Sequence, residues 1–188
     1  MEYAQAEAMV KSTLSPKRFE HTLNVKDMAV RLAARYGADP DKAALAAILH
    51  DAAKEYPKER LLQILRDNAI IAGDAQASPP PVWHGVCAAI LAKTRWGVED
   101  EEVLNAIRCH TTGRPGMTML DKIIFLSDMI SAERSYPEVD ELRRLAEQDL
   151  DTAVATALRY NVEWMEACGK TIDPLSRQAL RSMQHAAL

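Results

Sequence analysis

Apolar residues recur along most of this chain at intervals of three and four, the period of helices that bury one face. A short amphipathic helix is predicted over 2–13. Ser15-Pro16, an N-cap residue and a first-turn proline, opens a longer one that runs to Tyr36 and stops at Gly37. Its inward stripe is His21, Val25, Met28 and Leu32. Leu61, Leu62, Ile64 and Leu65 mark a helix from Pro57 to about Ile70, and Ala72 to Pro81 reads as a loop of small residues and prolines. The next helix starts at Val82 or Trp83, carries His84 in its first turn and ends at Gly97. Asp100 caps a helix with Val103, Ile107 and His110 on one face; Thr118 caps another with Leu120, Ile124 and Asp128. Three further helices are expected at 138–147, 149–168 and 173–186, with Leu158, Trp164 and Met165 as core residues. No segment alternates as a strand and none repeats, so the class is all-α.

One segment departs from the amphipathic pattern. After the cap and proline of Asp39-Pro40, the run Leu45-Ala46-Ala47-Ile48-Leu49-His50-Asp51-Ala52-Ala53-Lys54 is apolar on every side, as in a helix buried at a domain centre, and it is expected to continue to Tyr56-Pro57. His50 and Asp51 sit inside it. A buried carboxylate is costly unless it is paired, hydrogen-bonded or bound to a metal. Lys54, three residues beyond Asp51, can reach the same side.

Composition narrows the reading. The chain has 188 residues, 48% hydrophobic and 27% charged, which suits one domain, 1–188, with a sizeable core. A net charge of −4 gives no basic field for nucleic acid. No apolar run approaches the roughly 20 residues of a membrane span, and Met1 is followed by polar and acidic residues rather than a signal segment, so a cytoplasmic protein is expected. Cys87, Cys109 and Cys168 form neither a disulfide framework nor a thiolate metal motif and read as small buried hydrophobes. Trp83 and Trp96 read as core or rim, and His185 as exposed and inert.

Taken together, His21, His50, Asp51, His84, His110 and Asp128 lie on or beside inward faces of several helices. A hydrogen-bonded core residue is the plain explanation for any lone histidine among them. A helical bundle can instead bring all six to one point in its core. Imidazole and carboxylate without thiolate suit iron, manganese, cobalt, nickel or zinc. Six ligands exceed one tetrahedral site, and two ions sharing a carboxylate would use them all. A metal-free helical scaffold is the competing reading.

The strings around these residues resemble a family. Arg18-Phe19-Glu20-His21-Thr22, His50-Asp51-Ala52-Ala53-Lys54-Glu55-Tyr56, His84-Gly85, His110-Thr111-Thr112-Gly113-Arg114 and Leu120-Asp121-Lys122-Ile123-Ile124-Phe125-Leu126-Ser127-Asp128 are similar to the HD-domain metal-dependent phosphohydrolases, in particular the YqeK-type subfamily of symmetrical diadenosine tetraphosphate hydrolases. The likeness is strongest from about residue 15 to residue 136, with the helices of 138–186 packed on that core. One departure stands out: Ser131-Ala132-Glu133-Arg134 replaces a Pro-Gly-Arg turn.

The resemblance implies an HD-type bundle around a dinuclear, iron-containing centre, with manganese, cobalt or zinc as other candidate ions. His21, His50, Asp51 and Asp128 would hold one ion, and Asp51 would bridge to a second held by His84 and His110. A metal-bridging hydroxide would attack the polyphosphate and release two ADP. Asp51 and Lys54 would be catalytic. Arg18, Lys54, Thr111, Thr112, Gly113, Arg114, Arg134 and Tyr136 would meet the dinucleoside polyphosphate. A homodimer is also suggested. The same ligand set suits a hydrolase of another nucleotide or an alarmone, and a nucleotide-binding module without turnover is a further alternative.

Overall fold

In a computed structural model, residues 1–69 and 78–185 are described, and they form ten α-helices with no strand among them. These are α1 (Tyr3–Thr13), α2 (Pro16–Tyr36), α3 (Pro40–Leu49), α4 (Lys58–Asp67), α5 (Trp83–Thr94), α6 (Glu101–Cys109), α7 (Met119–Ile130), α8 (Val139–Ala146), α9 (Leu150–Ala167) and α10 (Pro174–His185). A 3₁₀ turn, Pro80–Val82, leads into α5. The expected loop of 72–81 lies outside the described residues over 72–77, and so does the side chain of His185. No helix is long and apolar enough to cross a membrane among the described residues.

The starts of the helices follow the local chemistry. Asp39 accepts from the amides of Asp41 and Lys42, and Asp100 from those of Glu102 and Val103. Thr118 and Asp121 cap α7 reciprocally. Gly37, at φ 71°, closes α2 in the left-handed conformation that glycine adopts without strain. α3 is buried between α1, α2, α6 and α7, while α5 packs on α4 and α6. α9 covers α7 and carries α8 and α10 on its flanks.

Three expectations fail here. α3 ends at Leu49, not near Tyr56. From His50 the chain continues in tight turns, with the amides of Ala52, Lys54 and Tyr56 bonded to the carbonyls of Leu49, Asp51 and Ala53. The His50 ring takes the Ala47 carbonyl at 2.6 Å, an acceptor that a continued helix would give to the Asp51 amide. Trp164 is 55% exposed rather than core, with the Lys170 ammonium 3.8 Å above its ring, and Met165 is only half-buried. The inward stripe of α9 runs through Val154, Leu158 and Val162; Trp164, two residues further on, faces the opposite side. Cys168 is exposed beyond the end of α9, whereas Cys87 and Cys109 are buried as expected.

Candidate metal centre

His21, His50, Asp51, His84, His110 and Asp128 come from α2, the turn after α3, the start of α5, the end of α6 and the last turn of α7. They meet in the core. Asp51 is 2% exposed and stands at the middle. On one side its Oδ2 is 3.5 Å from His50 Nε2, 3.8 Å from His21 Nε2 and 3.0 Å from a guanidinium nitrogen of Arg18. On the other side its Oδ1 is 3.1 Å from His84 Nε2, 3.6 Å from His110 Nε2 and 3.8 Å from Lys54 Nζ. Asp128 Oδ1 lies 3.1 Å from His21 Nε2. Ligand atoms of three overlapping triads, His21/His50/Asp51, His50/His110/Asp128 and Asp51/His84/His110, fall within 4.8 Å of one another.

The tautomers follow from geometry. His50, His84 and His110 each place Nδ1 on the carbonyl three residues earlier, at 2.6, 2.9 and 2.8 Å from Ala47, Pro81 and Ile107. A carbonyl only accepts, so Nδ1 carries the proton and Nε2 is a lone pair aimed inward. His84 Nε2 and His110 Nε2 then face each other at 3.0 Å, two acceptors in contact. Lys54 Nζ, 3.2 Å from His84 Nε2, is the nearby donor. His21 Nε2, His50 Nε2 and Asp51 Oδ1 are buried without any hydrogen bond, although their neighbours are close. Crowded lone pairs and a carboxylate oxygen without a donor are what a cation relieves, so the residues fit a metal centre.

The electrostatics agree. Burial pulls His50 and His84 down to about 4, holding both neutral and ready to ligate. Burial works to raise Asp51, but His50, His110, His84 and Lys54 outweigh it and keep the carboxyl well below its usual range. Burial also opposes ionisation of Asp128, and His21 and His50 overcome it. His21 differs from His50 and His84: burial lowers it, yet Asp128 and Glu133 raise it overall.

Beside the cluster lies a cavity of about 530 Å³, lined in part by Lys17, Arg18, His21, Arg134 and Tyr136. Arg134 bonds the Asp128 carboxylate and carbonyl, and the Tyr136 hydroxyl donates to the Met129 carbonyl at 2.8 Å. In the turn after His110, two side chains have partners within the protein. Arg114 pairs with buried Asp121 at 2.6 Å, and the Thr112 hydroxyl donates to the Gly113 carbonyl. A Cβ at Gly113 would stand 3.1 Å from Ala179 and 3.3 Å from Leu158, so this glycine gives room to the C-terminal helices. Thr111 Oγ1 is buried and unpartnered.

Several residues that matter here carry no local signal in the sequence. Glu133 meets His21 Nδ1. Glu55 accepts from the amide and hydroxyl of Ser15, both at 2.7 Å, and so fastens the start of α2 to the turn that holds His50 and Asp51. Arg143 of α8 donates to the carbonyls of Ile130, Ser131 and Arg134. Only their place beside the predicted ligands hinted at Glu55 and Glu133; Arg143 had no such hint.

The architecture and the buried His/Asp centre define a class, and comparison with known proteins agrees. Residues 18–133 match the HD domain, and the chain belongs to that family. It is 41% identical over 93% of both chains to the symmetrical bis(5'-nucleosyl)-tetraphosphatase of Bacillus subtilis. It is 38% identical, over 93% of this chain and 92% of the other, to the protein of that name in Halalkalibacterium halodurans. A crystal structure of a predicted HD superfamily hydrolase from Clostridium acetobutylicum superposes with a TM-score of 0.93 at 35% identity, covering 99% of this chain and 98% of that one.

Proposed function

We propose that this chain hydrolyses diadenosine tetraphosphate symmetrically, adding one water across the central anhydride to release two ADP, at two divalent cations held in the His/Asp centre. One observation carries the reading: imidazole Nε2 atoms approach Asp51 from both sides, His21 and His50 at one oxygen and His84 and His110 at the other. Asp51 would be shared by the two ions, with Asp128 completing the first. Iron, manganese, cobalt and zinc all suit these donors. When bound, such ions neutralise phosphate oxygens and lower the pKa of a coordinated water toward neutrality.

The protein side chains supply the remainder. Lys54, one-third exposed next to Asp51 and His84, would hold a non-bridging phosphate oxygen. Arg18 and Arg134 stand between the cluster and the cavity, placed to take further phosphates along the chain of four. Tyr136 would line the nucleoside end. Phosphoryl transfer needs positioning and charge stabilisation above all, and Lys54, Arg18 and Arg134 would supply cationic groups for both. Arg114, held on Asp121 of α7, would form with Thr111, Thr112 and Gly113 a second phosphate-binding element in the turn after His110. The unit at work is the whole chain, 1–188, and three free thiols suit a cytoplasmic setting.

Metal-loaded protein offered diadenosine tetraphosphate, ATP, AMP and a guanosine polyphosphate tests the assignment by product chromatography. ADP as sole product from the first substrate is expected. Turnover confined to the other nucleotides, or binding without turnover at full metal occupancy, overturns it.

A further inference from the structure

Three of the four histidines are oriented by the backbone, and the fourth cannot be. His50, His84 and His110 sit at helix ends, where the carbonyl three residues back is free to take Nδ1–H. His21 lies inside α2 (Pro16–Tyr36), where preceding carbonyls are consumed by the helix; the Arg18 carbonyl also takes the Thr22 hydroxyl at 3.0 Å. Its Nδ1 is met by the Glu133 carboxylate, from the turn after α7. Both Glu133 oxygens are fixed: the Ser131 hydroxyl donates to Oε1 at 2.8 Å and the Asn24 amide to Oε2 at 2.8 Å. The turn itself is pinned by Arg143 through the Ser131 and Arg134 carbonyls.

We infer that Glu133 is the positioning residue for His21, holding the proton on Nδ1 and so presenting Nε2, unprotonated, toward Asp51 and Asp128 as a metal ligand. The inference rests on the metal reading of the site. Glu133 belongs to the turn Ser131-Ala132-Glu133-Arg134 that follows α7. A carboxylate behind a ligating histidine fixes ring orientation and raises its basicity, and loss of such a partner weakens metal binding about 10–100-fold. Without Glu133 the ring can turn about its Cβ–Cγ bond, or carry its proton on the wrong nitrogen.

The test measures Mn²⁺ affinity by competition with a fluorescent chelator, independent of turnover. Glu133→Ala is expected to weaken the tighter-affected site about 10–100-fold. Glu133→Gln keeps an oxygen that can accept Nδ1–H and should lose less. Asn24→Ala, which frees one Glu133 oxygen and leaves His21 untouched, should show a smaller loss and covers the case in which Glu133→Ala fails to fold. Wild-type affinity in Glu133→Ala, or in Asn24→Ala where Glu133→Ala does not fold, overturns the inference while the metal reading stands. Equal losses in Glu133→Ala and Glu133→Gln overturn it as well, because charge rather than a placed acceptor would then be acting. Wild-type protein that binds no Mn²⁺ removes both.

Discussion

Along α7, Ile123, Ile124, Phe125 and Leu126 are sealed into apolar packing, and two residues later Asp128 faces a ring of imidazoles. The two regions share a helix but differ in kind. The apolar one, shared with Leu49, Ile90, Ile107 and Leu120, is complete as it stands, since each side chain finds its partners within the protein. The polar one is not: it gathers lone pairs and carboxylates that leave buried atoms unsatisfied. The first should decide whether the chain folds, and the second what it binds.

The largest test of that division is Asp51→Asn. It keeps volume and removes the charge that the four imidazoles surround. Cleavage of diadenosine tetraphosphate should fall by about 10³-fold or more, several kcal/mol of transition-state stabilisation, with Mn²⁺ content falling in parallel. Circular dichroism should stay that of wild type. Near-normal turnover in this variant would break the comparison at its polar end.

Phe125→Ala attacks the other region. Phe125 is 1% exposed, and truncation should cost about 3–5 kcal/mol in a urea titration. The fraction still folded should keep wild-type Mn²⁺ affinity. Loss of affinity out of proportion to loss of folding would mean that the two regions are not separable.

Acid should loosen the polar region when it is stripped of metal. His50 and His84 sit at about 4, below the ordinary 6.5, so between those values the unfolded chain takes up protons that the folded one refuses. Their contribution, on the order of 3 kcal/mol each, is therefore complete above about pH 6.5 and lost as the pH falls toward 4. His21, raised by Asp128 and Glu133, works in the opposite direction, contributing below pH 6.5 and losing that contribution as the pH rises through its own value. Two groups oppose one, so chelated protein should melt lower at pH 4.5 than at pH 7, and Mn²⁺ should steepen the dependence. A flat profile for the chelated form sinks this account.

The two regions also differ in how far they could be read from the sequence. Helix starts at Ser15-Pro16, Asp39-Pro40, Asp100 and Thr118 were legible because capping is local chemistry. The six His and Asp positions were legible because a polar residue inside an apolar stripe is conspicuous. The turn from His50 to Tyr56 was not: Ala52, Ala53 and Lys54 are strong helix formers, and only the His50 ring's bond to Ala47 reveals why the helix stops. Glu133 stayed hidden because its partner lies 112 residues away across the bundle. Trp164 is exposed despite its aromatic type, because its angular position on α9 lies opposite the inward stripe.

The smallest expected effect falls where the two regions touch. Gly85 in α5 follows His84, and a Cβ there would stand 3.1 Å from the Arg108 carbonyl and 3.1 Å from both Cε1 and Nδ1 of His110. Gly85→Ala therefore presses on a backbone that cannot yield and on a ring that must stay in place. Overpacking costs about 1–3 kcal/mol, while alanine returns about 1 kcal/mol of helix propensity, so the net loss of stability should be about 1 kcal/mol. The His110 ring should move by a few tenths of an ångström, a fraction of the 1 Å misplacement that costs about 100-fold, so turnover should drop about tenfold. Activity should thus suffer more than stability. A variant that loses stability but keeps full turnover would place Gly85 with the apolar packing, and His110's exact position would no longer matter to the chemistry.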